Sequence, residues 1–197
     1  MEKKLPETLA EVLTPEAVGA RPVRVLFQDE ARFGRMAKAR RCWAPAPLRP
    51  KVTLALVREF LYAYAAVSPL QGDLDWTIGP KMNTQHMQHF LDRLSGRYPE
   101  EFLVMILDGA SSHRSKDLHV PANVRLIPLP PYAPELNPVE HLWDELREKE
   151  FANRVFDSLA AVQSQLEAGL ATMQADHPAI RSLTAWPWIS NLNLSAT

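Results

Sequence analysis

The run Phe102-Leu-Val-Met-Ile-Leu107 is unbroken apolar sequence that stops at a carboxylate, Asp108. A run this short, without polar alternation, reads as a strand buried on both faces, so the sheet that holds it needs helices on either side. A second run, Val23-Arg-Val-Leu-Phe-Gln28, stops at Asp29. Open sheets place their chemistry at strand ends, and both aspartates fall there.

The rest of the chain supplies the covering elements. Residues Glu2 to Gly19 read as a short helix or linker with Leu5, Leu9, Val12 and Leu13 on one side. After the Val23–Gln28 strand, a basic loop anchored by Phe33 and Trp43 leads to β-rich runs at Val52–Val57, Phe60–Val67 and Asp73–Ile78, a meander. Asn83 is an N-cap candidate for a helix to about Arg97, because Met87, Phe90, Leu91 and Leu94 follow at helical spacing. The loop Gly109-Ala-Ser-Ser-His113 is expected to open a short helix, followed by a strand at Val124–Ile127. Asn137-Pro138 marks the next helix start, with Val139, Leu142, Trp143 and Leu146 as its buried stripe. A last helix from Asp157 or Ser158 turns Leu159, Val162, Leu166, Leu170 and Met173 inward. We expect an α/β fold with a mixed sheet, divided into a lead-in at 1–20, a catalytic domain at 21–156 and a helical extension at 157–197 packed on it.

At 197 residues, one good-sized domain with appendages is the expectation. Prolines cluster at Pro45, Pro47 and Pro50 and again from Pro128 to Pro138, which marks stiffened connections. One cysteine, Cys42, excludes an internal disulfide and fits a reducing cytosol; no stretch has the length and apolarity of a membrane span. The formal net charge of −1 argues against a nucleic-acid coat protein, yet no acid occurs from Ala31 to Arg58. That stretch carries Arg32, Arg35, Lys38, Arg40, Arg41, Arg49, Lys51 and Arg58, a local positive field that attracts phosphate backbones or, alternatively, a solvated loop.

A third acid, Glu140, lies in the first turn of the Asn137-Pro138 helix. Convergent carboxylates repel until cations neutralise them, and all-oxygen ligation suits magnesium or manganese. Each acid has a structural rival role. Asp29 competes with its neighbour Glu30, since alternation alone does not say which faces the site. Asp108 fits an Asx turn before Gly109. Glu140 completes a capping-box pattern with Asn137, and Asp144 and Glu135 compete with it as third ligand. The His86 and His89 pair lacks the further ligands zinc would need.

Four blocks carry a family resemblance: Phe27-Gln-Asp-Glu-Ala-Arg-Phe-Gly34, Arg41-Cys-Trp-Ala-Pro45, Leu107-Asp-Gly-Ala-Ser-Ser-His113 and Leu129-Pro-Pro-Tyr-Ala-Pro-Glu-Leu-Asn-Pro-Val-Glu-His-Leu-Trp143. Over about Arg21 to Leu159 the chain resembles the catalytic half of bacterial insertion-sequence transposases of the mariner-like group, and Leu183-Thr-Ala-Trp-Pro-Trp-Ile189 is similar to them too. The resemblance implies a ribonuclease-H-like fold and an Asp-Asp-Glu triad of Asp29, Asp108 and Glu140, with 31 residues between the last two. It implies two Mg²⁺ ions, with Mn²⁺ able to substitute, and strand cleavage and transfer on DNA at element ends and target sites. A homodimer on DNA in the cytoplasm is the expected working form. Arg32, Arg35, Lys38, Arg40, Arg41 and His113 are the candidate DNA contacts.

Such transposases usually carry helix-turn-helix modules ahead of this domain, and here the first catalytic strand begins about twenty residues in. The expectation is a partner half, separately encoded or joined by frameshifting, or else a fragment. The rivals to an active transposase are another ribonuclease-H-like nuclease and a non-catalytic remnant that binds DNA or a partner.

Overall fold

The computed structural model of the chain describes residues 5–35, 40–51, 56–109, 115, 117–130 and 133–192. Two short helices, α1 (Leu5–Val12) and α2 (Pro15–Val18), lead into strand β1 (Val23–Gly34). Strands β2 (Phe60–Ser68) and β3 (Asp73–Gly79) follow, then helix α3 (Thr84–Arg97), β4 (Phe102–Leu107) and β5 (Val124–Pro128). Helices α4 (Val139–Leu146), α5 (Leu159–Ala175), α6 (His177–Thr184) and α7 (Pro187–Ser190) complete the order. The sheet runs β3-β2-β1-β4-β5, antiparallel on the meander side and parallel from β1 to β5.

The two faces have separate cores because strand side chains alternate. On one side Val25, Phe27, Val104 and Ile106 meet α4 and α5, with Leu9, Leu13 and Val18 of the leading helices in the same cluster. On the other, Leu26, Tyr64, Leu103 and Met105 meet Met87, Phe90, Leu91 and Leu94 of α3. All six residues of β4 are buried, as an unbroken apolar run between two helical layers must be. Asn83 caps α3 through its side chain, which accepts from the His86 amide.

Two expectations for the meander are corrected. β1 does not end at Gln28; it continues to Gly34 as the partner of β2, with Ala31 and Phe33 buried and Arg32 exposed. Of the Val52–Val57 run, residues 52–55 lie outside the described residues. Leu56 and Val57 are exposed and outside any strand, because β propensity without a sheet edge to pair with forms nothing. No helix among the described residues is long and apolar enough to cross a membrane.

Candidate active site

Asp29 lies within β1, two residues after the last position paired with β4, Phe27 opposite Ile106. Alternation puts it on the face of Phe27 and Ala31, under α4, while Glu30 falls on the Tyr64 side, opposite which it pairs. Trp143, fully buried on α4, donates its indole N–H to Asp29 Oδ2 at 2.9 Å. The bond satisfies a buried indole and fixes which way the carboxylate points.

The start of α4 is tied to the same strand. Asn137, buried, donates Nδ2 to the Gln28 carbonyl at 3.0 Å and accepts the Val139 amide through Oδ1 at 3.2 Å. Its backbone is extended (φ −100, ψ 106), whereas Pro138 is already helical (φ −64, ψ −16). The amide that a capping box would offer to Glu140 is taken, since Asn137 N–H bonds to the Pro134 carbonyl at 2.9 Å. Val139, Leu142, Trp143 and Leu146 are all buried, each contributing roughly 1.5 to 3 kcal/mol for the larger side chains, and this burial seats the helix with half-buried Glu140 in its first turn.

Asp108 follows β4 directly and is exposed. The parallel β1–β4 pairing ends at Phe27 opposite Ile106, two residues before Asp29 in one segment and Asp108 in the other, so both acids lie toward the same end of the sheet. The structure therefore gathers Asp29 and Glu140 directly and brings Asp108 to the same end of the sheet. Among the described residues no three carboxylate, histidine or cysteine side chains are close enough to hold an ion as they stand.

Burial pushes the Asp29 carboxyl up to about 7, the charges of Glu140 and Glu30 push the same way, and the Trp143 bond pulls it back in part. A carboxylate forced to share buried space with another is one that a divalent cation relieves, and the donor set is all oxygen. Asp29, Glu140 and Asp108 thus fit a hard cation in chemistry.

The rival acids for the third position are both exposed. Glu135 is exposed on a single 3₁₀ turn, Pro134–Leu136. Asp144 is exposed and lies 3.9 Å from Arg147. His141 packs its ring edge against Trp186.

Of the candidate DNA contacts, Arg35 is bound within the fold, donating to Glu59 at 2.8 Å and to the Phe156 carbonyl at 3.0 Å. Arg32 lies over the Phe60 ring, 4.3 Å from its centroid. Arg40 is held at the surface by Glu148, and its amide donates to Asn153 Oδ1 at 2.8 Å. Arg41 is exposed, and Lys38 and His113 lie outside the described residues.

Arg32 and Arg40 share a recess of about 460 Å³ with two arginines that the sequence did not single out, Arg147 and Arg154. Arg147 is there because α4 runs on into a π-turn, Arg147–Phe151, which swings that residue over the Phe33 ring at 5.4 Å. The indole of Trp143 was legible only as core; its hydrogen bond to a residue 114 positions away carried no sequence signal.

Residues 24–163 match the family described as DDE superfamily endonuclease. An uncharacterized protein of Sinorhizobium fredii (strain NBRC 101917 / NGR234), y4pE/y4sA, is 39% identical over 97 residues, which is 48% of this chain and 71% of that protein. The fold superimposes on the crystal structure of the Mos1 mariner paired end complex with Mn at a TM-score of 0.59 and 17% identity, covering 98% of this chain and 63% of that one. A pre-cleavage Mos1 transpososome gives 0.58 at 15% identity, over 96% and 63%. At such identities the likeness establishes the ribonuclease-H-like fold, and this chain spans 63% of the length of those chains.

Proposed function

Since this chain belongs to the DDE superfamily endonucleases, we propose that it is the catalytic domain of a mariner-like DNA transposase, cutting DNA strands and joining the freed ends to a target. The observation that carries the reading is the Asp29–Glu140 pair, in which a half-buried carboxyl raised to about 7 feels the charge of a second acid at the end of the sheet where Asp108 emerges. A structural ion pair would put a cation there; two acids in one place leave room for one.

Asp29, Asp108 and Glu140 are the residues that would hold Mg²⁺ or Mn²⁺. Two such ions, when bound, supply activation of an attacking water or 3′-hydroxyl and stabilise the departing oxygen. What the chain itself contributes is position. Trp143 holds the Asp29 carboxylate in one orientation, and Asn137 ties the Glu140 turn to β1. Arg32, Arg40 and Arg41 are the residues that would neutralise backbone phosphates. No serine or tyrosine nucleophile is needed, because water and the DNA hydroxyl do the attacking.

In this reading the substrates are element ends and target DNA, met in the cytoplasm. The working unit is a dimer on paired ends, with recognition of the ends supplied by a helix-turn-helix half, separately encoded or fused by frameshifting. Support for the pairing comes from the Mos1 relatives, described as paired-end complexes.

The test is nicking of supercoiled plasmid with Mg²⁺, Mn²⁺ or EDTA. Metal-dependent nicking that falls at least about a hundredfold in Asp29→Asn supports the assignment. Nicking that survives in this variant overturns it, and absence of nicking by the wild-type chain on plasmids carrying element ends leaves a DNA-binding remnant.

A further inference from the structure

The arginine recess has a composition that contact with a paired backbone does not need. Four phenylalanines, Phe33, Phe60, Phe151 and Phe156, are among its lining residues. Its polar lining brings four arginines against a single carboxylate, Asp144. Two of the arginines are already partnered, Arg40 by Glu148 and Arg147 more loosely by Asp144. The other two meet neutral groups, Arg154 donating to the Gln165 amide oxygen at 2.7 Å and Arg32 lying on Phe60, and among the described residues neither has a carboxylate partner. A recess lined by both guanidinium groups and aromatic rings suits a ligand with one flat apolar part and one anionic part.

We propose that this recess takes one unpaired nucleotide of a DNA strand, with its base against the half-buried Phe60, Phe151 and Phe156 and its phosphate at Arg154 and Arg147. The inference rests on the reading that the chain acts on DNA. Size agrees, since about 460 Å³ falls in the range of roughly 300 to 1,000 Å³ typical of small-molecule sites. Chemistry agrees as well, because bases stack on aromatic rings and guanidinium planes while phosphates take arginine forks. A base still paired in a duplex cannot enter such a depression, so the strand must be open at that point.

Position links the recess to the carboxylates. Phe33 is four residues beyond Asp29 on the same face of β1, roughly 13 Å along the strand, and its ring lies 5.9 Å from that of Trp143, which holds Asp29. A nucleotide seated there would fix a strand a short way from the reacting phosphate. The wall at Gly34 is tightly packed within the protein. A Cβ on Gly34 would come within 2.3 Å of the Phe60 ring and 2.4 Å of the Glu59 carbonyl. Asn153 takes a left-handed backbone (φ 56), and its side chain holds the Arg40 amide at the rim.

The experiment measures binding of the full chain, in EDTA to prevent cleavage, to three duplexes of one sequence: fully paired, with a single-nucleotide bulge, and with an abasic bulge. Fluorescence anisotropy should show the bulged duplex bound about tenfold more tightly than the paired one, with most of that gain missing from the abasic duplex. Arg154→Gln, at an exposed position, should bring the bulged-to-paired ratio close to one, and so should Phe60→Leu, which removes a stacking ring; circular dichroism confirms that each is folded. Measurable but equal binding of paired and bulged duplexes overturns the recess proposal and leaves the DNA reading standing. Equal gain from the abasic bulge overturns it too, since the base would then contribute nothing. Failure to bind any duplex sinks both.

Discussion

Trp143 on α4 and Asp29 on β1 share one hydrogen bond, indole N–H to carboxylate at 2.9 Å, at the border of the core. A fully buried tryptophan is normally explained by its area, and this one also orients the acid on which the proposed chemistry depends. Because the bond favours the ionised form, it opposes burial and the Glu140 charge. Trp143→Phe keeps a ring in the core and removes the donor. It should cost about 1 to 3 kcal/mol of stability, through a small cavity and a lost bond to a charged group. The acid limb of metal-dependent nicking should move to higher pH, measured as a rate–pH profile. A profile that stays put would make Trp143 simply core.

The raised Asp29 carboxyl has a consequence for the metal-free protein. Its folded pKa of about 7 exceeds the ordinary 3.8, so the protonated form favours folding. The contribution is complete below about 3.8, drains away as pH climbs to about 7, and is lost above that, with an upper bound of about 4 kcal/mol. A cation that displaces the proton reverses the trend. The rise in Tm produced by Mg²⁺ should therefore grow from pH 6 to pH 8, and calorimetry of Asp108→Asn should show most of it gone. An equal metal response in that variant would remove Asp108 from the ligand set.

How far these features could be read from the chain varies with their range. The run 102–107 has only one home, a central strand, and Asn83 and Ser158 mark their helices through local side-chain caps. Alternation across Ala31, Arg32 and Phe33 already carried the extension of β1, but the charged cluster around it reads as a loop when the partner strand is unseen. Asp29 against Glu30 was undecidable locally, because the choice depends on which face α4 covers. The recess was invisible for the same reason: Arg147, Phe151 and Arg154 meet Arg32 only through a π-turn and a β-sheet edge far apart in sequence.

Glu140 separates cap from ligand more cleanly than the sequence pattern allows. The Asn137 amide is already bonded to Pro134, so the helix start does not depend on Glu140 closing a capping box. Glu140→Gln should fold with about 1 kcal/mol of change or less, and strand cleavage should collapse. Near-normal nicking by a folded Glu140→Gln protein would shift the third-ligand assignment to Asp144 or Glu135.

For a chain of net charge −1, the proposed hold on DNA requires a local field, and the surface arginines after β1 are the candidates. Arg41 is exposed, and Arg40 is tethered to Glu148 across a pair that is itself solvent-facing, so phosphate can compete for it at little cost. Each phosphate contact releases counterions worth about 0.9 in the slope of log affinity against log salt. Substituting Arg40 and Arg41 together by alanine should flatten that slope by up to about two on a paired duplex. Asp29→Asn should leave it where it was, because a carboxylate contributes no cationic contact. Anisotropy titrations across salt decide the matter: an unchanged slope in the double variant would make this segment a solvated loop and move duplex binding to another part of the surface.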